Sequence, residues 1–277
     1  MQVSVTILSE NTAPRFPLVG EYGFSALVKV DDNSILFDTG SADALYKNAA
    51  HLGIKLDEVN AVAISHGHYD HTGGLLSFFE KYGPRKVYAH PNIFAKRPKP
   101  ISKSEIMQIG CRFSQEQLEA VGAEFIFCKE YAPIFPNVYI SGEIPHLTEY
   151  EDVGGDFKIE TTSGLIKDDL IDDMAVIIDH PQGLIIISGC AHAGIINIIE
   201  HAIKTTNKTS VQAVIGGTHL MTASQYRIDR TIEALNDYNV KRIILSHCTG
   251  FYAAAKLYTA LGDKVIKGET GMQFIFN

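Results

Sequence analysis

The chain has 277 residues, with 24 Lys plus Arg against 32 Asp plus Glu, for a net charge of −8. Hydrophobic residues are 45% and charged residues 20%, a globular balance that excludes a disordered chain. The acidic excess argues against broad nucleic-acid binding, which needs a positive surface to displace counterions.

Single cores stop growing at roughly 250–300 residues, and the expectation is one domain over 1–277. Cysteines stand at 111, 128, 190 and 248, and none forms a CxxC pair, so a zinc ribbon or an iron–sulfur cluster of that spacing is not expected. Met1-Gln2-Val3-Ser4-Val5 has neither a basic region nor a long apolar run. The apolar stretches are cut by Asp179 and His180 or by Glu200 and His201, so no bilayer span is expected. The setting expected is a reducing cytoplasm.

Residues 2–8, 24–30 and 34–38 read as strands from their β-branched and aromatic content. Ser41 can cap a helix running to about Leu52, stopped by Gly53. Residues 61–65 form a buried strand, about 74–82 a helix closed by Gly83-Pro84, and 86–89 another strand. The stretch 91–170 holds six of the ten prolines and reads as an irregular insertion on the core. It contains a helix at 114–121 with Ser114 and Gln117 as a capping box. Regularity returns with strands at 174–179 and 183–188, a helix at about 193–205 and a strand at 211–215. A helix at about 223–238, a strand at 242–246, a helix at about 251–261 and a strand at 271–276 complete the chain. Both halves repeat one theme: strand, turn with histidine, helix.

The decisive segment is Ser65-His66-Gly67-His68-Tyr69-Asp70-His71-Thr72-Gly73-Gly74. Three histidines and a carboxylate fall within six positions, between a strand and a helix. Four such ligands cannot all face one metal from so short a turn, but they can face two neighbouring ones. His66 and His68, two apart, project to the same side of an extended segment. Asp70 and His71 lie past the bend and face a second position. Imidazole with carboxylate suits zinc, iron or manganese.

This segment resembles the metallo-β-lactamase superfamily, whose hallmark is HxHxDH after a buried strand. The resemblance implies an α/β fold, a four-layer αββα sandwich of two mixed sheets flanked by helices. Leu36-Phe37-Asp38-Thr39-Gly40 is similar to the family's upstream element, in which the aspartate orients a ligand histidine. Downstream, His192 in Ser188-Gly189-Cys190-Ala191-His192-Ala193-Gly194 and His247 in Leu245-Ser246-His247-Cys248-Thr249-Gly250 match strand-end ligand positions. His219 in Gly216-Gly217-Thr218-His219-Leu220 remains open among ligand, ligand support and substrate contact. Cys190 stands where many members carry a bridging Asp; bridging thiolate and inert buried thiol both remain open, with Asp172, Asp173 or water as other bridges. The motifs GCAHAG, GGTHL and SHCTG, with Asp172-Asp173-Met174-Ala175, resemble the branch named for dihydropterin–ribofuranosylaminobenzene phosphate synthase.

The function implied is a metal-dependent hydrolase with a metal-held hydroxide acting on a phosphoryl or carbonyl centre. Two divalent ions, zinc before iron or manganese, are the cofactors. His66, His68 and His192 would hold one; Asp70, His71 and His247 the other, with Asp70 also accepting a proton. The partner expected is a small-molecule substrate, open to being phosphorylated. Lys96, Arg97, Lys99 and Lys103 form a basic cluster suited to a phosphate, though a solvated loop has the same pattern. Tyr69 suits either substrate contact or packing. Alternatives are a pterin-forming condensation, di-iron redox chemistry, for which the chain has no room for a flavin domain, and metal binding without catalysis.

Overall fold

A computed structural model describes residues 1–102 and 105–277; Lys103 therefore lies outside the described residues. Two seven-stranded sheets dominate it. In spatial order the first contains Gln273–Phe276, Val3–Ser9, Ser25–Val30, Asn33–Phe37, Ala61–Ala63, Arg85–Ala89 and Ala123–Phe127. The second contains Val265–Lys267, Arg242–Leu245, Val211–Gly216, Leu184–Ser188, Ala175–Ile178, Val138–Ile140 and Ala132–Phe135. Each is mixed: Asn33–Phe37 onward is parallel in the first, and Leu184–Ser188 through Val265–Lys267 is parallel in the second. Helices cover both outer faces, giving the four layers that the family resemblance implies.

Side-chain alternation builds this sandwich. Val3, Val5 and Ile7 of one sheet meet Ile185, Ile187 and Ile215 of the other in a shared core. Leu184 and Ile186, one step out of phase, face away and pack with Ile195, Ile199 and Leu257 of the outer helices. Both faces are buried, so the central strands read as continuous apolar runs. Ile195–Thr206 buries Ile195, Ile196, Ile198, Ile199 and Ala202; this spacing is the apolar face of a helix. The carboxylate of Glu151 accepts the N–H groups of Ile196 and Asn197 at 3.0 and 2.9 Å, which suits the positive end of the helix dipole.

Three local expectations change. The helix expected from Ser41 begins later, at Ala44. Glu21 reaches across to accept the N–H groups of Ser41, Ala42, Asp43 and Ala44, so a distant carboxylate does the work of a local cap. Second, the stretch 91–170 is not all irregular insertion. Ala123–Phe127 extends the first sheet, while Ala132–Phe135 and Val138–Ile140 extend the second. Third, residues around Ile109, Val153, Phe157 and Leu170 pack into a small apolar cluster with Tyr69, so this part of the stretch covers the histidine turn. No helix among the described residues is long and apolar enough to cross a membrane.

Candidate metal centre

The parallel strands of both sheets deliver their C-terminal ends to one place, the usual binding side of an open α/β sheet. Asp38 follows Asn33–Phe37, His66 follows Ala61–Ala63, Cys190 and His192 follow Leu184–Ser188, His219 follows Val211–Gly216, and His247 follows Arg242–Leu245. Asp38, Ala191, His219 and His247 all have positive φ, at 58°, 58°, 47° and 50°. Non-glycine residues rarely hold this conformation, and such strain gathers at functional sites.

Five overlapping groups of three side chains converge there among the described residues, Cys190 belonging to three of them. One ligand atom from each of His66, His68 and His192 lies within 4.8 Å of the others, and so do those of Asp70, His71 and His247. Asp70 and His71 sit on the one-turn helix Tyr69–Thr72, and the His71 ring stands 4.3 Å from that of His66, so the two sets adjoin.

Four of the imidazoles are held by Nδ1, while His68 Nδ1 lies 2.9 Å from His66 Nε2. His71 Nδ1 donates to Asp38 Oδ2 at 2.7 Å, His192 Nδ1 to the Val153 carbonyl at 2.8 Å and His247 Nδ1 to Asn11 Oδ1 at 2.9 Å. His66 Nδ1 lies 2.9 Å from Ser65 Oγ, which itself donates to Asp38. The Nε2 atoms of His68, His192 and His247 are buried with no hydrogen-bond partner among the described residues. Buried polar atoms are nearly always satisfied, so the bare Nε2 atoms of His68 and His192, with His247 Nε2 facing the Asp70 carboxylate at 3.3 Å, fit a divalent metal. Neutral imidazole with one carboxylate is the donor set such ions take.

Charge follows the same arrangement. Burial pulls His66, His68 and His192 well below the usual histidine range, and their neighbours' positive charges add to it. Burial opposes protonation of His71 as well, but the Asp38 and Asp70 carboxylates outweigh it and raise that pKa to about 9. Burial of Asp173 outweighs its hydrogen bond from the Ala193 N–H and pushes it to about 8.

The model of the metallo-beta-lactamase superfamily matches residues 18–194. The chain belongs to the metallo-beta-lactamase superfamily. It is 32% identical over 260 residues, 90% of this chain and 87% of the relative, to 7,8-dihydropterin-6-methyl-4-(beta-D-ribofuranosyl)-aminobenzene-5'-phosphate synthase of Methanocaldococcus jannaschii. Among solved structures it is similar to Tm1679, described as a metal-dependent hydrolase of the beta-lactamase superfamily, with a TM-score of 0.84, 28% identity and 98% of each chain covered. Zn(2+)-bound PqqB from Methylobacterium extorquens shares the fold at a TM-score of 0.57 and 16% identity, covering 98% of this chain and 99% of its own.

Other expected residues fall differently within this metallo-beta-lactamase framework. Arg97 is not a solvent-facing phosphate ligand. It is 1% exposed and pairs with Asp168 at 2.7 Å and Asp172 at 2.6 Å, because a guanidinium in the interior needs paired carboxylates. Asp172 is thereby engaged, and its other oxygen accepts the Gly67 N–H at 2.9 Å. Asp173 accepts the Ala193 N–H at 2.9 Å and approaches His66 Nδ1, the outward nitrogen, at 3.9 Å. Lys96 is exposed. Lys99 lies 5.5 Å from the Phe157 ring, which stands 5.3 Å from those of His68 and His192. Tyr69 takes the Arg112 guanidinium over its ring at 4.7 Å. His219 sits with its ring 4.2 Å from that of His192.

Glu10 and Asn11 escaped the sequence reading. Glu10 accepts the His247 N–H at 2.9 Å and Asn11 holds the ring. Their only signal was position: they end the strand Val3–Ser9, at the same edge as the other site residues. An apolar cavity of about 480 Å³ borders His247, lined also by Leu245, Phe251, Ala254, Tyr258 and Ile266.

Proposed function

We propose that this chain is a two-metal enzyme that hydrolyses a phosphoryl or carbonyl centre in a small molecule. The observation that carries this is the pair of three-residue sets, His66 with His68 and His192, and Asp70 with His71 and His247. Six ligands exceed what one tetrahedral position uses. Zinc comes first, with iron or manganese next. The ions supply a Lewis acid and make water acidic enough, with a pKa near about 7, to react at neutral pH.

This chain's own residues do the rest. Asp38, Val153 and Asn11 fix which imidazole nitrogen faces the centre. Asp70 places a carboxylate oxygen 3.3 Å from His247 Nε2 and 3.8 Å from His71 Nε2, where it would both hold the second ion and take a proton from attacking water. Phe157 and its apolar neighbours exclude bulk water above His68 and His192. The cavity beside His247 suits the unreactive, apolar part of the substrate. Lys99, near Phe157, is the cation best placed to meet a phosphate. The four free cysteines suit a reducing compartment such as the cytoplasm.

A second reading is a pterin-forming condensation, in which the same centre stabilises a departing phosphate group. The 32% identical synthase favours it. One experiment separates them: protein purified without added metal is analysed for metal, then offered phosphomonoesters, phosphodiesters and thioesters. In parallel it is offered a dihydropterin pyrophosphate with an aromatic amine. Hydrolysis predicts turnover of an ester with water alone. Condensation predicts pyrophosphate release only with the amine. Metal-free protein active on either substrate overturns both readings.

A further inference from the structure

The helix Phe251–Leu261 starts just after the turn that carries His247, and it buries Ala253 and Leu257 against the core. It has a second apolar row. Phe251, Ala254, Ala255 and Tyr258 follow the i, i+3, i+4, i+7 spacing of one helix face, and all four line the cavity beside His247. A helix with one buried face normally turns polar residues to the other. Here Phe251 is 79% exposed and Tyr258 55% exposed, so large apolar groups stand at an open space. Contiguous apolar surface of this kind marks a binding site.

The rest of the cavity matches that row. Leu245 and Ile266, from neighbouring parallel strands, line it as well. Met221 closes against the start of the helix: a Cβ at Gly250, whose φ is 75°, would meet Met221 Cβ at 2.8 Å. The polar side chains along the cavity are engaged with the protein. Glu10 accepts the N–H groups of His247 and Thr12, and Asn11 accepts from His247 Nδ1. Ser246 donates to the Gly268 carbonyl at 3.1 Å, Thr249 accepts the Thr218 hydroxyl at 3.0 Å, and Lys267 pairs with Glu269 at 2.6 Å. Burial of apolar surface, rather than hydrogen bonding, is what this space offers an occupant. It also borders the second metal position, because His247 lines it and has its Nε2 3.3 Å from Asp70.

We infer that this cavity is a specificity site for a hydrocarbon group, so that the substrate is a phosphate or carboxylate ester with an alkyl or aryl body rather than a sugar or a nucleotide. This deepens the two-metal hydrolysis reading above and rests on it. The volume of about 480 Å³ suits a small molecule, whose sites span about 300–1,000 Å³. A sugar or nucleotide would bring hydroxyl and amide groups to a space whose polar side chains are already taken, and a polar group buried without a partner costs binding. A hydrocarbon group brings none, and it covers Phe251 and Tyr258.

The test uses methyl-, butyl- and octylphosphonate as probes, each a stable stand-in for a reacting phosphoryl group. They are titrated by calorimetry into the full chain reconstituted with zinc. Affinity should rise with chain length, by up to about fourfold per fully buried methylene. Ala255→Phe puts a ring into the cavity from an exposed position on the helix. It should weaken octylphosphonate relative to methylphosphonate by about 10-fold or more, the worth of about two displaced methylenes. Methylphosphonate bound as tightly as octylphosphonate by the wild type overturns the inference and leaves the two-metal reading standing, and this arm needs no variant to fold. A chain-length gain undiminished in Ala255→Phe also overturns it. A wild-type dimer in sedimentation that Ala255→Phe dissociates, with no chain-length gain, gives the face to a second copy and overturns it too. A wild type that takes up no zinc overturns the two-metal reading, and this inference with it.

Discussion

Asp38 and His71, 33 positions apart, meet at 2.7 Å, and the same carboxylate accepts both the N–H and the hydroxyl of Ser65. One buried aspartate thus ties the strand end bearing His66 to the turn bearing His71. Asp38→Asn isolates its charge, because asparagine tolerates the left-handed backbone that Asp38 holds. Metal affinity should fall about 10- to 100-fold, as for other groups that orient a ligand imidazole. Competition against a fluorescent chelator measures it; unchanged affinity would make Asp38 a packing residue.

Asp70 tests the division into two positions. Asp70→Ala should fold, retain about one metal equivalent against two in the wild type, and lose most turnover, since a catalytic ion supplies several kcal/mol of transition-state stabilisation. A metal that binds only the folded state stabilises it by RT ln(1 + [L]/Kd). Chelator should therefore lower the melting temperature of the wild type more than that of Asp70→Ala. Elemental analysis finding two equivalents in the variant would reject the assignment.

Arg97 should matter for stability. Arg97→Met leaves Asp168 and Asp172 buried without their cation, and breaking such a pair on one side costs about 3–5 kcal/mol. Denaturant titration should show a loss of that size. Restoring much of it with Asp168→Asn and Asp172→Asn in the same chain would assign the cost to uncompensated charge.

Stability of the metal-free protein should fall as pH rises from about 6.5 to about 9. His71 titrates at about 9 when folded against its ordinary 6.5, so its contribution is complete below 6.5 and lost through 9. Asp173 titrates at about 8 against 3.8, so its contribution is also lost on the way up. Metal displaces the proton on His71. The gain in melting temperature on adding zinc should therefore widen across the same window; a gain independent of pH would mean that His71 gives up no proton to the metal.

The sequence by itself determined what depends on neighbours in the chain. His66, His68, Asp70 and His71 share one strand-to-helix turn, and a six-residue span leaves them few ways to point. The capping box at Ser114 and Gln117 formed as its local pattern requires, and continuous isoleucine-rich runs were enough to mark the central strands. Of the edge strands, Gln273–Phe276 was legible, but Ala123–Phe127, Ala132–Phe135 and Val265–Lys267 were not. Ala132–Phe135 contains Pro133, which an edge position tolerates because the missing N–H has no ladder to serve, so its composition reads as loop. The tertiary structure alone decided the partners across long separations. Asn11 reaches His247 over 236 positions, Val153 reaches His192 over 39 and Asp172 reaches Gly67 over 105. None of these pairs has a local signature. Each arises because two sheets, packed face to face by their apolar residues, bring their strand ends to one edge, where polar side chains must find partners or remain bare for a metal.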